Sequence, residues 1–323
     1  MMRIMRRSGA LVAVAASSLL LAACGGGPSQ VGAAAIVDGQ SISLDGVQTK
    51  LDTLIKSDKF VQQLQQQRKL DLVSRAIVSR EVLYKLVDKA AQGEGLRVDE
   101  RNLDKYLPSP ESAQTQGSDD PAAGVEQSVD KAFAPQEAAR HRMLLAELSA
   151  KYIGRVSLTV DRVQLQDPAK ARDLADRIAR EPQQATALMQ QAAAGGEPPS
   201  LNEAVSNNTP QSLALFAEPG SVLFTPSNAQ QSQQSEQAAG GPYQVIVIKK
   251  RDLVALPPDL DPTKFQPDQL IQYSKYLLRP TALATGINLN PRYGQWDTVN
   301  MQAGPADEAA VAGKVLTPKS SSS

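Results

Sequence analysis

Few side chains in this sequence have the types and spacing that chemistry requires. The 323 residues include one histidine, His141, and one cysteine, Cys24. An imidazole acting as general acid or base needs a partner that orients its ring, and His141 is flanked instead by Arg140 and Arg142. Its expected place is the surface of a helix. A metal site needs several ligands at close spacing, so carboxylates would have to supply it. The adjacent pairs are Asp119-Asp120, in a polar stretch, and Asp99-Glu100, at a helix start, and such pairs are expected to be solvated or to cap the helix. Gly25 to Gly27 read as a tether, and Gly195-Gly196 lacks the Lys and Ser/Thr of a phosphate loop. Neither a metal nor a cofactor is expected.

Charge narrows the function classes further. Arg3, Arg6 and Arg7 precede an apolar run from Ala10 to Ala23 that is too short to span a bilayer, the pattern of a secretory signal peptide over residues 1–23. The 34 basic residues less those three, against 34 acidic ones, leave a mature net charge of about −3. A nucleic-acid partner, which needs a basic face, is therefore not expected. The run ends in Leu21-Ala22-Ala23-Cys24-Gly25, which resembles a lipobox. That resemblance implies cleavage between Ala23 and Cys24, and lipid (diacylglycerol, palmitate-type chains) on the Cys24 thiol. Acyl chains contribute ~0.8 kcal/mol per buried methylene, enough together to hold a domain at a membrane without a spanning helix. A lipidated Cys24 leaves no thiol for a disulfide, so stability must come from burial.

Beyond the tether (24–32), Ala34 to Ser43 forms two β-prone runs around Asp38-Gly39, a tight-hairpin signal. Leu44 to Ile55 reads as a helix. Gln65 to Ala91 reads as one longer helix whose stripe includes Leu70, Val73, Ile77, Leu83, Leu86 and Val87. Val98 to Tyr106 is a short helix capped by Asp99. Pro108 to Gly124 reads as a mobile loop, and Val125 to Gly154 as helix, with Pro135 a point of division.

The period changes at Val156. Val156 to Leu165 alternates as a half-buried strand, Asp167-Pro168 starts a helix to Arg180, and Pro182 starts another through Met189. Leu213 to Phe224 reads as a short helix or turn around Pro219-Gly220. After the glutamine-rich run Gln230 to Gln237, Tyr243-Gln-Val-Ile-Val-Ile reads as a strand, buried through Val245 and Val247 or through Ile246 and Ile248. A helix begun by Asp261 or Gln266 carries Phe265, Leu270, Ile271, Tyr273, Leu277 and Leu278, is kinked or ended by Pro280 and is capped by Gly286. Ile287 to Asp297 is a strand and turn, and residues 302–323 are expected to be disordered.

The order of these parts carries a second resemblance. The lipobox, Ala35-Ile-Val-Asp-Gly-Gln-Ser-Ile, the long helix ending before Gly95-Leu-Arg-Val-Asp, and Asn290-Pro-Arg-Tyr-Gly-Gln-Trp-Asp297 together resemble bacterial lipoproteins with a SurA N-terminal-type domain. The resemblance implies an α+β fold: a mainly helical, discontinuous chaperone domain (33–155 with 256–301) holding a small parvulin-like α/β insert (156–255). Parvulins carry histidines in their isomerase core, one of them after a tyrosine in the last strand. Here Tyr243 matches the tyrosine, Gln244 follows it, and Val156 to Leu165 has no histidine. The insert thus reads as degenerate, with no catalytic residue assigned. The expected function is a membrane-anchored extracytoplasmic chaperone or peptide-binding lipoprotein for unfolded or exported polypeptides, with Tyr243, Gln244, Tyr293 and Trp296 as candidate contacts, although an aromatic content of 4% favours Tyr293 and Trp296 as core anchors. The alternatives are an active peptidyl-prolyl isomerase and a scaffold docked on one envelope partner.

Overall fold

A computed structural model describes residues 32–108, 121–194, 196–206, 208–227, 242–305 and 314–316. The signal-like segment, Ala23, Cys24, Asp119-Asp120 and Gln230 to Gln237 lie outside the described residues. The fold is α+β, and every sheet pairing is antiparallel.

β1 (Ala33–Val37) and β2 (Gln40–Ser43) form the hairpin that Asp38-Gly39 signals. Both turn residues have positive φ, 53° and 73°, as a two-residue turn matched to strand twist requires. β7 (Ile287–Leu289), from the far end of the chain, pairs with the other side of β1. Asn290 fastens this closure, donating from its backbone N–H to Ala34 O at 2.9 Å and from Nδ2 to Ala33 O at 3.0 Å.

α1 (Leu44–Ser57) begins at Ser43, whose Oγ accepts from Gly46 N. The expected helix from Gln65 is instead two helices, α2 (Lys59–Gln66) and α3 (Leu70–Gly93). Arg68 takes a left-handed φ of 59°, and Lys69 N–H turns back onto Leu64 O at 2.8 Å, which ends α2. α3 is the central helix, burying Val73, Ile77, Val78, Val82, Leu86 and Val87. A 3-10 helix over Glu100–Tyr106 follows, with Asp99 capping Arg101 N.

Asp58 caps α2 by accepting from Phe60 N at 2.9 Å and Val61 N at 3.3 Å, and Lys131 Nζ sits 2.7 Å from its other oxygen. Burial works against its charge, but the bonds from Lys131 and the two amides outweigh it and hold the carboxyl below its usual range. Its contribution is therefore present above the ordinary aspartate range and is lost as pH falls through the lowered value. Asp58→Ala is expected to cost about 1–2 kcal/mol near neutrality, from the cap and a half-exposed ion pair. Chemical denaturation should show the gap between wild type and variant narrowing as pH drops below the carboxylate range.

α4 (Pro121–Asp130) and α5 (Pro135–Tyr152) divide the next helical stretch at Pro135, which occupies the first turn of α5. The expected loop therefore ends at Pro121: residues 121–124 are helical. Gly124 is needed there, because a Cβ would stand 2.5 Å from the Phe60 ring.

β3 (Val156–Leu165) and α6 (Pro168–Arg180) fall where the period places them, and α7 (Ala185–Ala192) continues a short turn begun by Pro182. Two strands went unread: β4 (Ser200–Ser206) and β5 (Val222–Pro226), the latter after a 3-10 turn over Pro210–Leu215. With β6 (Tyr243–Leu253) and β10 (Lys314–Leu316) they make a five-stranded sheet in the order β10-β5-β6-β3-β4. The return segment is not one helix but α8 (Pro267–Ile271), a 3-10 turn over Ser274–Leu278 and α9 (Arg279–Thr285). Pro280 lies in the first turn of α9 and so starts a helix rather than ending one.

The expectation of disorder after Met301 is corrected at two places. β9 (Gln302–Gly304) pairs with β8 (Gln295–Asp297), with Ala303 N donating to Ser79 Oγ on α3 at 2.7 Å, and β10 pairs with β5. Composition hid these strands because each has three residues and little apolar pattern of its own.

The five-stranded sheet is covered on both faces. Val163, Val222, Phe224, Val245 and Val247 pack under α6 and α7 in a small core. Leu158, Val160, Leu223, Ile246 and Ile248 belong to the large core that also holds α1, α3 and the return segment. Both halves of the β6 alternation are thus buried, and the sheet is fused to the helical part by continuous packing.

Candidate functional site

Alternation along β6 puts Gln244 on the same face as Ile246, toward the helices. There the sheet and the return segment leave a cleft of about 300 Å³. Arg162 on β3, Glu203 on β4, Leu223 on β5 and Gln244 on β6 line the sheet side, with Tyr273, Tyr276 and Ser212 opposite. The wall is half polar and half apolar in kind: amide, hydroxyl and guanidinium groups alternate with Val205, Leu215 and Ile246.

Arg279 holds the far wall together. Its guanidinium is 2% exposed and donates to the carbonyls of Ala214 and Phe216 on one side and of Thr298 and Val299 on the other. The Tyr276 ring lies 4.4 Å from it. Burial draws its pKa down to about 10, so it is a cation at neutral pH. Asp297 nearby is also buried, and burial pushes its carboxyl up although it accepts from Val299 N, Asn300 N and Asn300 Nδ2. Arg279 thus fixes the 3-10 turn of the sheet unit against the turn after β8.

Polar capacity remains at the cleft itself. Arg162 reaches Glu203 through Nη2 at 3.3 Å, while its buried Nε and the buried Oγ of Ser227, two residues that line the cleft, have no hydrogen-bond partner among the described residues. Such donors can bond the acceptors of a bound group or of water. Glu203 is tied to Arg162, and Gln244 offers an amide that both donates and accepts but does not exchange protons near neutral pH. The arrangement suits hydrogen bonding to a polypeptide backbone beside apolar side-chain contact.

Of the four sequence candidates, only Gln244 lines the cleft. Tyr243 points to the other face of the sheet and stacks on Phe224, centroids 5.3 Å apart. Tyr293 is 2% exposed inside the large core, and Trp296 is half-buried against that core, its Nε1 without a hydrogen-bond partner among the described residues. The two aromatics are anchors, because the short strands around them have few other large side chains to bury. Arg162 and Arg279 went unread. The signal for Arg279 was present: it interrupts the apolar run Tyr276-Leu277-Leu278 immediately before a proline.

His141 is also corrected, since it is 8% exposed rather than on the surface. It stacks on Tyr84 at 3.7 Å, with Nδ1 2.9 Å from Glu137 O and Nε2 3.3 Å from Asp88. It lies on α5, is absent from the cleft lining, and helps pack α5 on α3. Asp99 serves as a cap and Glu100 pairs with Arg140 at 3.2 Å. No family model matches the chain, and no curated protein matches its sequence.

Proposed function

We propose that the protein is a membrane-anchored extracytoplasmic lipoprotein that holds extended segments of unfolded, exported polypeptides, as a chaperone without chemistry of its own. Cleavage before Cys24 and lipid on its thiol would supply the anchor. In this reading residues 33–155 with 256–301 are the SurA N-terminal-like part, and 156–255 is the parvulin-like insert. The order strand, helix, helix and three further strands supports the latter.

The observation that carries the proposal is the cleft beside Gln244, where the Arg162 Nε and the Ser227 Oγ stand ready among apolar side chains and a glutamine follows Tyr243. Backbone acceptors of an extended segment would take the donors, and its side chains would meet Leu223 and Ile246. Such contacts bind weakly and with little sequence preference.

The test is suppression of aggregation. The lipidated protein in nanodiscs is expected to slow aggregation of a reduced, unfolded secreted protein. Ser212→Trp, which places an indole in the cleft, should weaken client binding about tenfold, or ~1.4 kcal/mol. No suppression by wild type refutes the proposal. Acceleration of X-Pro exchange measured by NMR on the same sample would favour the isomerase reading, and a single stoichiometric crosslinked partner would favour the scaffold.

A further inference from the structure

A β-sheet is bounded by two edges, each with unpaired N–H and C=O groups that accept another strand unless something prevents it. The five-stranded sheet treats its two edges differently. At the β4 edge the strand is broken at Asn202, whose φ is 54°, and its register with β3 slips between Val160 and Arg162. Asp161 turns inward at that bulge and takes the Asn202 N–H at 2.7 Å. A bulge, a left-handed residue and a diverted amide make this edge a poor template.

The β5 edge is regular and already carries a strand. Lys314, Val315 and Leu316 pair in register with Phe224, Leu223 and Val222. The side chains of β5 here are buried on both sides, Val222 and Phe224 toward α6 and Leu223 toward the large core. A strand added at this edge is therefore offered backbone pairing plus two apolar faces at alternate positions.

The occupant is weakly held. Among the described residues its pairing spans three, and each gains about 0.5–1.5 kcal/mol per hydrogen bond against an ordering cost of about 1–2 kcal/mol. Those terms nearly cancel over the described pairing, and the sequence joins β9, ending at Gly304, to Lys314 through the short stretch 305–313. A connection of that length holds the strand near the edge at an effective concentration on the order of mM.

We propose that the outer edge of β5 is a docking site for an extended polypeptide segment, and that the chain's own Lys314–Leu316 occupies it as an exchangeable stand-in. This rests on reading the protein as a binder of unfolded polypeptides, but it assigns a second site, apart from the cleft. The segment recognised is one with apolar side chains at alternate positions and free backbone N–H groups. A client displaces the tail by making a longer pairing than three residues allow, and the tail keeps the apolar edge covered between clients.

The experiment measures binding of a labelled peptide of alternating valine and threonine, capped by lysines, to the full-length protein in nanodiscs. A variant ending at Pro305 is expected to bind about tenfold more tightly, because the tethered competitor is gone. Val315→Pro, which removes a backbone N–H from the pairing, should do the same. A clamp joining Leu223→Cys and Val315→Cys, residues directly opposite in the register, should abolish binding until it is reduced. Equal affinity of full-length, shortened and Val315→Pro proteins overturns the proposal, as does a dimer that vanishes on shortening while peptide affinity is unchanged. Failure of every form to bind the peptide also overturns it. If the full-length protein still suppresses aggregation in that case, the cleft reading stands and only the edge site falls.

Discussion

Replacing Arg279 by methionine is expected to destabilise the protein by about 3–5 kcal/mol, the range seen when one partner of a fully buried charged network is removed. The guanidinium bridges four main-chain carbonyls, of Ala214, Phe216, Thr298 and Val299, drawn from two segments far apart in sequence. Methionine fills much of the volume but donates nothing. Each carbonyl left buried without a donor costs about 1–3 kcal/mol, partly relieved if the turns draw apart to admit water. That relaxation would open the wall of the cleft, so peptide binding should fall with stability. Lysine is expected to recover less than half of the loss, because one ammonium cannot address carbonyls on two sides as a planar fork does. Urea denaturation gives the answer directly. A cost below about 1 kcal/mol for Arg279→Met would mean that the two segments are held by apolar packing instead.

How much of this was legible in the sequence depended on whether a segment carries its own instructions. The Asp38-Gly39 hairpin, β3 and α6 were readable because turn chemistry, alternation and an Asp-Pro helix start are local. The break between α2 and α3 was not, since Arg68 adopts a left-handed conformation that no glycine announces. β4 and β5 were missed for different reasons. β4 alternates around polar residues at an edge, and β5 is too short for a period and gains its place from pairing with β6. The return segment looked like one helix because its apolar residues share a spacing, yet it packs against α5 in one part and against the 3-10 turn of the sheet unit in another, and it breaks to reach both.

The site divides the same way. Gln244 was visible as a departure from the pattern that Tyr243 begins, and strand parity puts it on the face of Ile246, but that this face borders a cleft is a property of the fold. Which residues would face it was not visible, because Arg162 and Tyr276 come from different elements joined only in the fold. Tyr293 and Trp296 were candidate contacts, but a chain with 4% aromatic residues already favours them as core anchors, and both pack against the large core.

Gly154 offers the second large effect, at the joint where α5 gives way to β3. Its φ is 73°, and a Cβ built there would stand 2.2 Å from Leu260 Cδ2, 2.9 Å from Leu256 Cδ1 and 3.3 Å from the Pro257 ring. Two penalties therefore add. The left-handed backbone costs a residue with a Cβ about 1–2 kcal/mol, and crowding against the connection at 256–260 adds about 1–3 kcal/mol. The leucine ends can swing away, but Pro257 cannot, and the chain at 256–260 is what connects β6 to the return segment. Gly95 separates the two terms, since its φ is 69° and nothing lies within 4 Å of a Cβ there. Gly95→Ala should thus report the backbone cost alone, about 1 kcal/mol, and Gly154→Ala roughly twice to three times that. Gly154→Val should cost more again, because a β-branched side chain in this region of φ is a true outlier. Equal losses for Gly95→Ala and Gly154→Ala would show that the crossing at Leu256 to Leu260 yields without cost, and that the sheet unit is joined to the helices less tightly than their continuous core implies.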